Sequence, residues 1–190
     1  MMSLRVPGEK RTTNLLRKCR EEECRQILGI INAAAEAYRG AIPPDCWHEP
    51  YMSATELEAE IRAGIEFWGY ETEGILVGVM GTQAVRDVDL IRHAYVLPDC
   101  QGRGVGTALI RHLCALSAPR RMLVGTWAAA TWAIRFYESH SFELLEPQLT
   151  RKLLNAYWHI GERQIETSVV LANPPYGQEH VSRQRETIAP

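Results

Sequence analysis

No apolar run in this 190-residue sequence approaches the ~20 residues that a membrane-spanning helix needs. The start, Met1 to Arg11, carries basic residues with no apolar stretch behind them, so no secretory signal is expected there. Cysteine is sparse and unpaired in pattern: there are five, with no Cys-x-x-Cys. That excludes a disulfide framework and predicts a reduced, cytoplasmic protein. The six histidines form no His-Glu-x-x-His and pair with no cysteine, so no metal site is expected. A charge excess is missing too. The 21 Lys and Arg against 23 Asp and Glu leave a net −2, and no global field draws the chain to nucleic acid or to an anionic membrane. There is no Gly-Lys-Ser/Thr, which excludes a nucleotide phosphate-binding ATPase of that type. Repeats and low-complexity segments are absent as well. What is present is a globular balance, 46% hydrophobic and 23% charged, enough for one domain with a sizeable core.

The most informative stretch is Gln101-Gly102-Arg103-Gly104-Val105-Gly106. It follows an alternating apolar run, Leu90 to Leu97, and opens a helical pattern to about Ser117, so it reads as strand, glycine turn and helix start. Glycine allows positive φ and close backbone approach. The first amides of a helix lack intrahelical acceptors and lie at the positive end of its dipole. Such a turn suits an anion, phosphate above all.

The rest of the chain frames that turn. Residues 1–19 are a polar N-terminal segment of undefined structure, 20–172 a single domain, and 173–190 a polar tail. A first helix begins at Glu21-Glu22-Glu23 and presents Cys24, Ile27, Leu28, Ile31, Ala34, Ala35 and Tyr38 at helical spacing, with Gly40 as its stop. A proline-rich loop with Trp47 and Tyr51 precedes a second helix, where Ser53 and Glu56 predict a capping box and Met52 a staple onto Leu57. Ile65–Glu71, Ile75–Val85 and Asp89–Leu97 read as an antiparallel meander. The helix after the glycine turn buries Val105, Leu109, Ile110, Leu113 and Leu116. Met122–Trp127 is a buried strand. Thr131 is placed to cap a helix to about His140, and Phe142–Leu145 is a strand. Thr150–Trp158 is a short helix, and Ile165–Leu171 a last strand, pairing with Phe142–Leu145 or with a second copy in a homodimer. This order predicts a mixed sheet flanked by helices, an α+β domain.

Two motifs then carry a resemblance. One is Tyr95-Val96-Leu97-Pro98-Asp99-Cys100-Gln101-Gly102-Arg103-Gly104-Val105-Gly106; the other is Ala133-Ile134-Arg135-Phe136-Tyr137-Glu138-Ser139-His140-Ser141-Phe142. Together, in this order, they resemble the GNAT superfamily of acyl-CoA-dependent N-acetyltransferases over roughly residues 20–172. The resemblance implies a mostly antiparallel sheet of six to seven strands, splayed at the cofactor. It implies acetyl-CoA as co-substrate, no metal, and a small-molecule or peptide amine as acceptor. The pyrophosphate would lie on Gln101, Gly102, Gly104, Val105, Gly106 and Thr107, with the Arg103 side chain either adding a cation or simply exposed. The backbone of Tyr95, Val96 and Leu97 would take the pantetheine arm, and Phe136 would flank the cofactor. Two positions depart from the family: Ala130 stands where an Asn is common, and Ser141 replaces a glycine, which predicts a changed helix end.

The chemistry of amine acetylation needs a neutral amine, a polarised thioester carbonyl and a proton for the thiolate. A phenol near ~10 can share its proton with a thiol near ~8.5; by resemblance Tyr137 has that role, against the alternative of a packed core aromatic. Backbone amides near Val96 would polarise the carbonyl. The family's base, or a residue holding a water, falls at Leu90 or Arg92, and neither serves as an ordinary base. His93 is then the leading candidate, since imidazole titrates near neutrality, with Glu66 behind it. Strict alternation places Asp87, Asp89, Ile91, His93 and Tyr95 on one face. Arg92 either reads an acceptor carboxylate or is ion-paired. The acceptor loop offers Trp47, His48, Tyr51 and Met52, with Tyr38 and Trp68 near. No covalent acyl-enzyme is expected, because Cys100 alone approaches either motif. The rival reading is a non-catalytic acyl-CoA-binding or sensing module.

Overall fold

The computed structural model of the chain describes residues 13–177. The basic start and the last 13 residues of the tail, 178–190, lie outside them. Strand β1 (Asn14–Lys18) comes first, then helices α1 (Cys24–Ala35) and α2 (Ala54–Arg62). The meander β2 (Glu66–Thr72), β3 (Ile75–Val85) and β4 (Val88–Val96) leads to α3 (Val105–Ser117). Then follow β5 (Arg121–Trp127), α4 (Thr131–Glu138), β6 (Glu143–Leu144), α5 (Pro147–Tyr157), α6 (Glu162–Glu166) and β7 (Ser168–Asn173).

The seven strands form one sheet in the order β1-β2-β3-β4-β5-β7-β6. Every pairing is antiparallel except β4 with β5. Neighbouring residues on a strand face opposite sides, and the core divides accordingly. Met80, Ile91, Val124 and Leu171 pack with Leu109, Ile110 and Leu113 of α3 and with Ala133 and Tyr137 of α4. Val79 packs with Ile27, Ile30 and Ile31 of α1 and Leu57 of α2. Leu90, Leu123 and Val170 pack with Leu153 and Leu154 of α5. So α3 and α4 cover one face, and α1, α2 and α5 the other.

The capping box on α2 forms: the Glu56 amide donates to Ser53 Oγ at 3.2 Å and the Ser53 amide to Glu56 Oε2 at 2.7 Å. Met52 and Leu57 share one core cluster, as a staple requires. Four local expectations are corrected. Strand β1 was not foreseen; its five residues pair with β2 across more than fifty positions, and no local pattern marks it. Ile165 and Glu166 end α6, and the last strand starts only at Ser168. β7 pairs with β5 along its length and with β6 at Leu171 and Ala172, so Phe142–Leu145 is the partner it finds within the chain. Thr131 is the first residue of α4 and not its cap; Ala130 caps without a side-chain bond. Leu116 is 55% exposed, because the helix stripe turns away from the sheet before its last turn.

One irregularity opens the sheet. The parallel pairing of β4 with β5 covers only Val88–Ile91 against Arg121–Val124. Beyond it, β4 slips against β3: Arg92 pairs with Gly81, but Tyr95 pairs with Val79, so His93 and Ala94 together oppose Met80. This is a β-bulge, which bends a strand and raises its twist. His93 takes φ 49° there. From Arg92 onward one edge of β4 has no partner strand, and a V opens between β4 and β5.

Candidate active site

The bulge also breaks the strict alternation expected for β4. Asp89 faces α3, bonded to Ser117 Oγ and Arg120 Nε. Arg92 and His93, adjacent in sequence, both reach Glu60 of α2 on the opposite face. Two successive side chains on one side are what a bulge produces.

Two cavities meet at the V. The larger, about 720 Å³, is floored by β3 and β4 and walled by α3, α4 and the end of α1. The smaller, about 270 Å³, lies between β4, β5 and the segment after α5. Tyr38, Ala94, Tyr95 and Tyr137 line both.

The glycine loop forms one end of the larger cavity. Gly102 and Gly104 have φ 70° and 83°, a region that an L side chain enters at a cost. Gly104 caps α3, and Ala108 returns the first helical bond, to Gly104 O at 2.9 Å. The earlier amides therefore lack intrahelical acceptors. Gly102, Gly104, Val105, Gly106 and Thr107 all line the cavity, as do Tyr95, Val96, Gln101 and Phe136. Phe136 lies so close over Gly106 that a Cβ there would stand 3.3 Å from its ring. Gln101 Nε2 donates to the Val96 carbonyl at 3.1 Å.

Two expected cofactor residues are not in the lining. The Arg103 side chain is exposed. The Leu97 amide donates to Val77 O at 2.9 Å and its carbonyl accepts from the Cys100 amide at 2.8 Å, so its backbone is occupied. His140 was missed: it sits within bonding distance of Thr107 Oγ1 (3.2 Å) and the Phe136 carbonyl (2.7 Å), tying α4 to the first turn of α3. Ser141 takes φ 67°, the left-handed conformation a glycine would adopt, so the helix end keeps its shape despite the substitution. Ala130 is fully buried.

Tyr137 is buried, packed edge-on against Phe136 and Phe142. Burial pushes its phenol far above the ordinary range, with the neighbouring Tyr38 adding to the shift. Tyr38 is pushed up to about 12, also by burial first. Tyr95 Oη donates to Tyr51 Oη at 3.1 Å; burial raises both phenols, Tyr95 the more. All four hydroxyls thus stay protonated at any working pH.

The smaller cavity gathers Tyr51, Arg92 and His93. Of the acceptor loop only Tyr51 reaches it. Trp47 lies under the Arg39 guanidinium at 4.6 Å, and His48 Nδ1 bonds the Pro50 carbonyl at 2.9 Å. Met52 is core, and Trp68 packs on His112. Glu66 is exposed at the far side of the sheet, paired with Lys18 at 2.7 Å. Glu60, Trp132, Trp158 and His159 also line the cavities without having been singled out. Glu60 stands on the polar side of a short helix, and the other three sit in no motif.

The comparisons bear on this geometry. Residues 63–144 match the family model described as the acetyltransferase (GNAT) domain. That stretch holds the meander, the bulge, the glycine loop, α3, β5 and Tyr137. Over that stretch the chain is similar to a GNAT acetyltransferase domain. The fold agrees with solved structures. The PaiA N-acetyltransferase from Thermoplasma acidophilum in complex with coenzyme A aligns with TM-score 0.64 and 14% identity, over 84% of this chain and 98% of that one. The ribosomal-protein-S18-alanine N-acetyltransferase from Escherichia coli gives 0.61 and 17%, over 84% and 92%. YncA from Salmonella typhimurium with its cofactor acetyl-CoA gives 0.58 and 20%, over 84% and 92%. No curated protein matches the chain in sequence. Among the described residues no helix is long and apolar enough to cross a membrane, and no group of three His, Cys, Asp or Glu is placed to hold a metal ion.

Proposed function

We propose that this GNAT domain moves an acetyl group from acetyl-CoA to a primary amine, by direct attack while both are bound. The observation that carries the reading is the meeting of the two cavities at Tyr137. The larger, about 720 Å³, carries the glycine loop as an amide cradle for a CoA, and the smaller shares Tyr38, Ala94, Tyr95 and Tyr137 with it.

Acetyl-CoA supplies the thioester. The amides of Gly102 to Thr107 hold the pyrophosphate: the loop lines the cavity at a helix N-terminus, where amides lack intrahelical acceptors. The open edge of β4 after Arg92 offers strand-like bonds to the pantetheine amides. An amide near Val96 polarises the carbonyl. His93 takes the proton of the incoming ammonium, and Tyr137 donates to the departing sulfur. Because burial holds the Tyr137 phenol protonated, it acts first as a hydrogen-bond donor to the developing thiolate. No covalent acyl-enzyme is invoked: Cys100 belongs to the turn leading to the glycine loop, at the cofactor's end of the larger cavity. The acceptor is a small-molecule amine or a peptide end, and the enzyme is placed in the cytoplasm.

A non-catalytic acyl-CoA sensor needs only the larger cavity. The second cavity, with an imidazole and a carboxylate in its wall, favours the enzyme. Tyr137→Phe separates the two. The enzyme reading predicts turnover lower by ~10²-fold or more with acetyl-CoA affinity kept. Tight acetyl-CoA binding by the parent protein with no turnover on any amine would favour the sensor.

A further inference from the structure

We infer that Glu60 is a positioning residue for His93, and that Arg92 serves to fix Glu60 rather than to read the acceptor. The inference rests on the amine-acetylation reading above.

Glu60 lies on α2, 33 positions before His93, and the two meet at the wall of the smaller cavity. His93 Nε2 bonds Glu60 Oε2. The second oxygen, Oε1, accepts from Arg92 Nη2 at 3.1 Å. Arg92 Nη1 donates to Gln83 Oε1 at 3.0 Å, and Gln83 Nε2 to the Ala63 carbonyl at 2.9 Å. The chain of bonds therefore ends on the backbone just past α2, which fixes the carboxylate from both sides. Burial alone would raise the Glu60 carboxyl, but the bond from His93 and the nearby charges outweigh it, and the group is held below the usual range as an anion.

The imidazole is fixed as firmly. Its backbone sits at φ 49° in the bulge, a conformation uncommon for a residue other than glycine and one that gathers at functional sites. Its ring stacks against Phe67 (6.0 Å between centroids) and Tyr95 (6.5 Å). Around it stand Glu60 from α2, Arg92 on its own strand, Tyr51, Tyr95 and Tyr137 on the cavity wall, and His159 from the segment after α5. With Nε2–H donated to Glu60, Nδ1 keeps its lone pair. Among the described residues nothing bonds Nδ1, and it is not an enclosed, unsatisfied atom.

The step balances simply. One N–H bond of the ammonium breaks and an Nδ1–H bond forms, leaving a neutral amine and an imidazolium beside the Glu60 carboxylate. The freed lone pair then attacks the thioester. Arg92 already donates to Glu60 and Gln83, so its charge is compensated before an acceptor carboxylate arrives.

The test uses the full chain, thiol release from acetyl-CoA, and phenethylamine, spermidine and a tripeptide with a free N-terminus as acceptors. Glu60→Gln should lower kcat/KM for the amine by roughly 10–100-fold, as loss of an orienting partner does at other histidine sites. The KM for acetyl-CoA should stay unchanged. Glu60→Asp, which keeps a carboxylate on the same helix face, should recover part of that loss. In a His93→Gln background, Glu60→Gln should have no further effect. No recovery with Glu60→Asp, or equal losses with and without His93, would overturn the inference while leaving the acetylation reading intact. Acetyl-CoA binding with no turnover on any amine would overturn the reading itself, and the inference with it. Should Glu60→Gln fail to fold, the parent protein still decides. A downfield imidazole N–H proton resonance assigned to His93 Nε2 supports the bond, and its absence at neutral pH refutes it.

Discussion

Gly78 lies in β3 directly beneath the first turn of α3, and replacing it by alanine tests how the phosphate loop is seated. A Cβ on Gly78 would stand 2.6 Å from Val105 Cγ1 and 3.3 Å from Val96 Cγ2. Carbon atoms prefer about 3.5–4.0 Å, so the overlap with Val105 is roughly 1 Å. Val105 is buried, and a valine in a helix has one strongly preferred rotamer, so its methyl group has nowhere to swing. The helix start must lift off the sheet instead. Such overpacking costs about 1–3 kcal/mol. For a domain of this size each kcal/mol is worth about 2–4 °C, so Gly78→Ala should lower Tm by roughly 2–12 °C. Acetyl-CoA should bind more weakly as well, because the displaced amides are the ones proposed to hold the pyrophosphate. Val105→Ala alone loses two buried methyl groups, about 1.6 kcal/mol at ~0.8 each, but it clears the clash. The double variant should therefore be more stable than the sum of the two losses, by about 0.5–3 kcal/mol. Thermal unfolding and titration calorimetry read both effects. An uncrowded strand glycine gains about 0.5–1 kcal/mol when changed to alanine. A rise in Tm for Gly78→Ala, or simple additivity in the double variant, would refute the packing argument.

Three further outcomes are expected. Gly104→Ala, at φ 83°, should cost about 1–2 kcal/mol of stability and weaken acetyl-CoA binding; unchanged affinity would mean the cap conformation does not set the cradle. Ser141→Gly should stabilise the protein by up to about 1 kcal/mol, since Ser141 already holds φ 67°, and an unaltered Tm would show that the left-handed turn carries no strain. Glu23 is held down to about 2 by its bonds from Arg17, against burial, with the Arg20 amide and side chain helping. Its folded value lies below the ordinary 4.5, so its contribution is complete above about 4.5 and fades as pH falls toward 2. The stability gap between parent and Glu23→Gln in urea should therefore narrow across that window, and a gap independent of pH would contradict it.

The sequence was most readable where a local rule and the tertiary structure agree. The α2 capping box, the meander β2 to β4 and the glycine loop each depend on residues within a few positions of one another. Tyr137 was legible through its motif. What escaped depends on distant partners. The five residues of β1 find their place only through β2 and through Arg17, which bonds both Glu23 and Glu71. The bulge leaves no mark in the order Ile91-Arg92-His93-Ala94-Tyr95, because an extra residue on one strand is defined only by its partner. That one slip moved His93 to the face of Arg92 and brought both to Glu60, a helix residue unremarkable in sequence. Trp47 went the other way: an aromatic in the right loop, it is held by Arg39 outside the cavities. Glu66, a candidate base on the strands, is instead exposed and paired with Lys18, and the carboxylate at the smaller cavity is Glu60 of a helix.

The account stands most directly on the grip of the glycine-loop amides on a diphosphate. Titration calorimetry of the full chain with acetyl-CoA and with S-acetylpantetheine, which lacks the pyrophosphate, measures that grip. Charge-assisted hydrogen bonds contribute about 1.5–3 kcal/mol each, so two or three of them predict that acetyl-CoA binds at least about a hundredfold more tightly. Equal affinity for the two ligands, or no heat with acetyl-CoA at all, would contradict it.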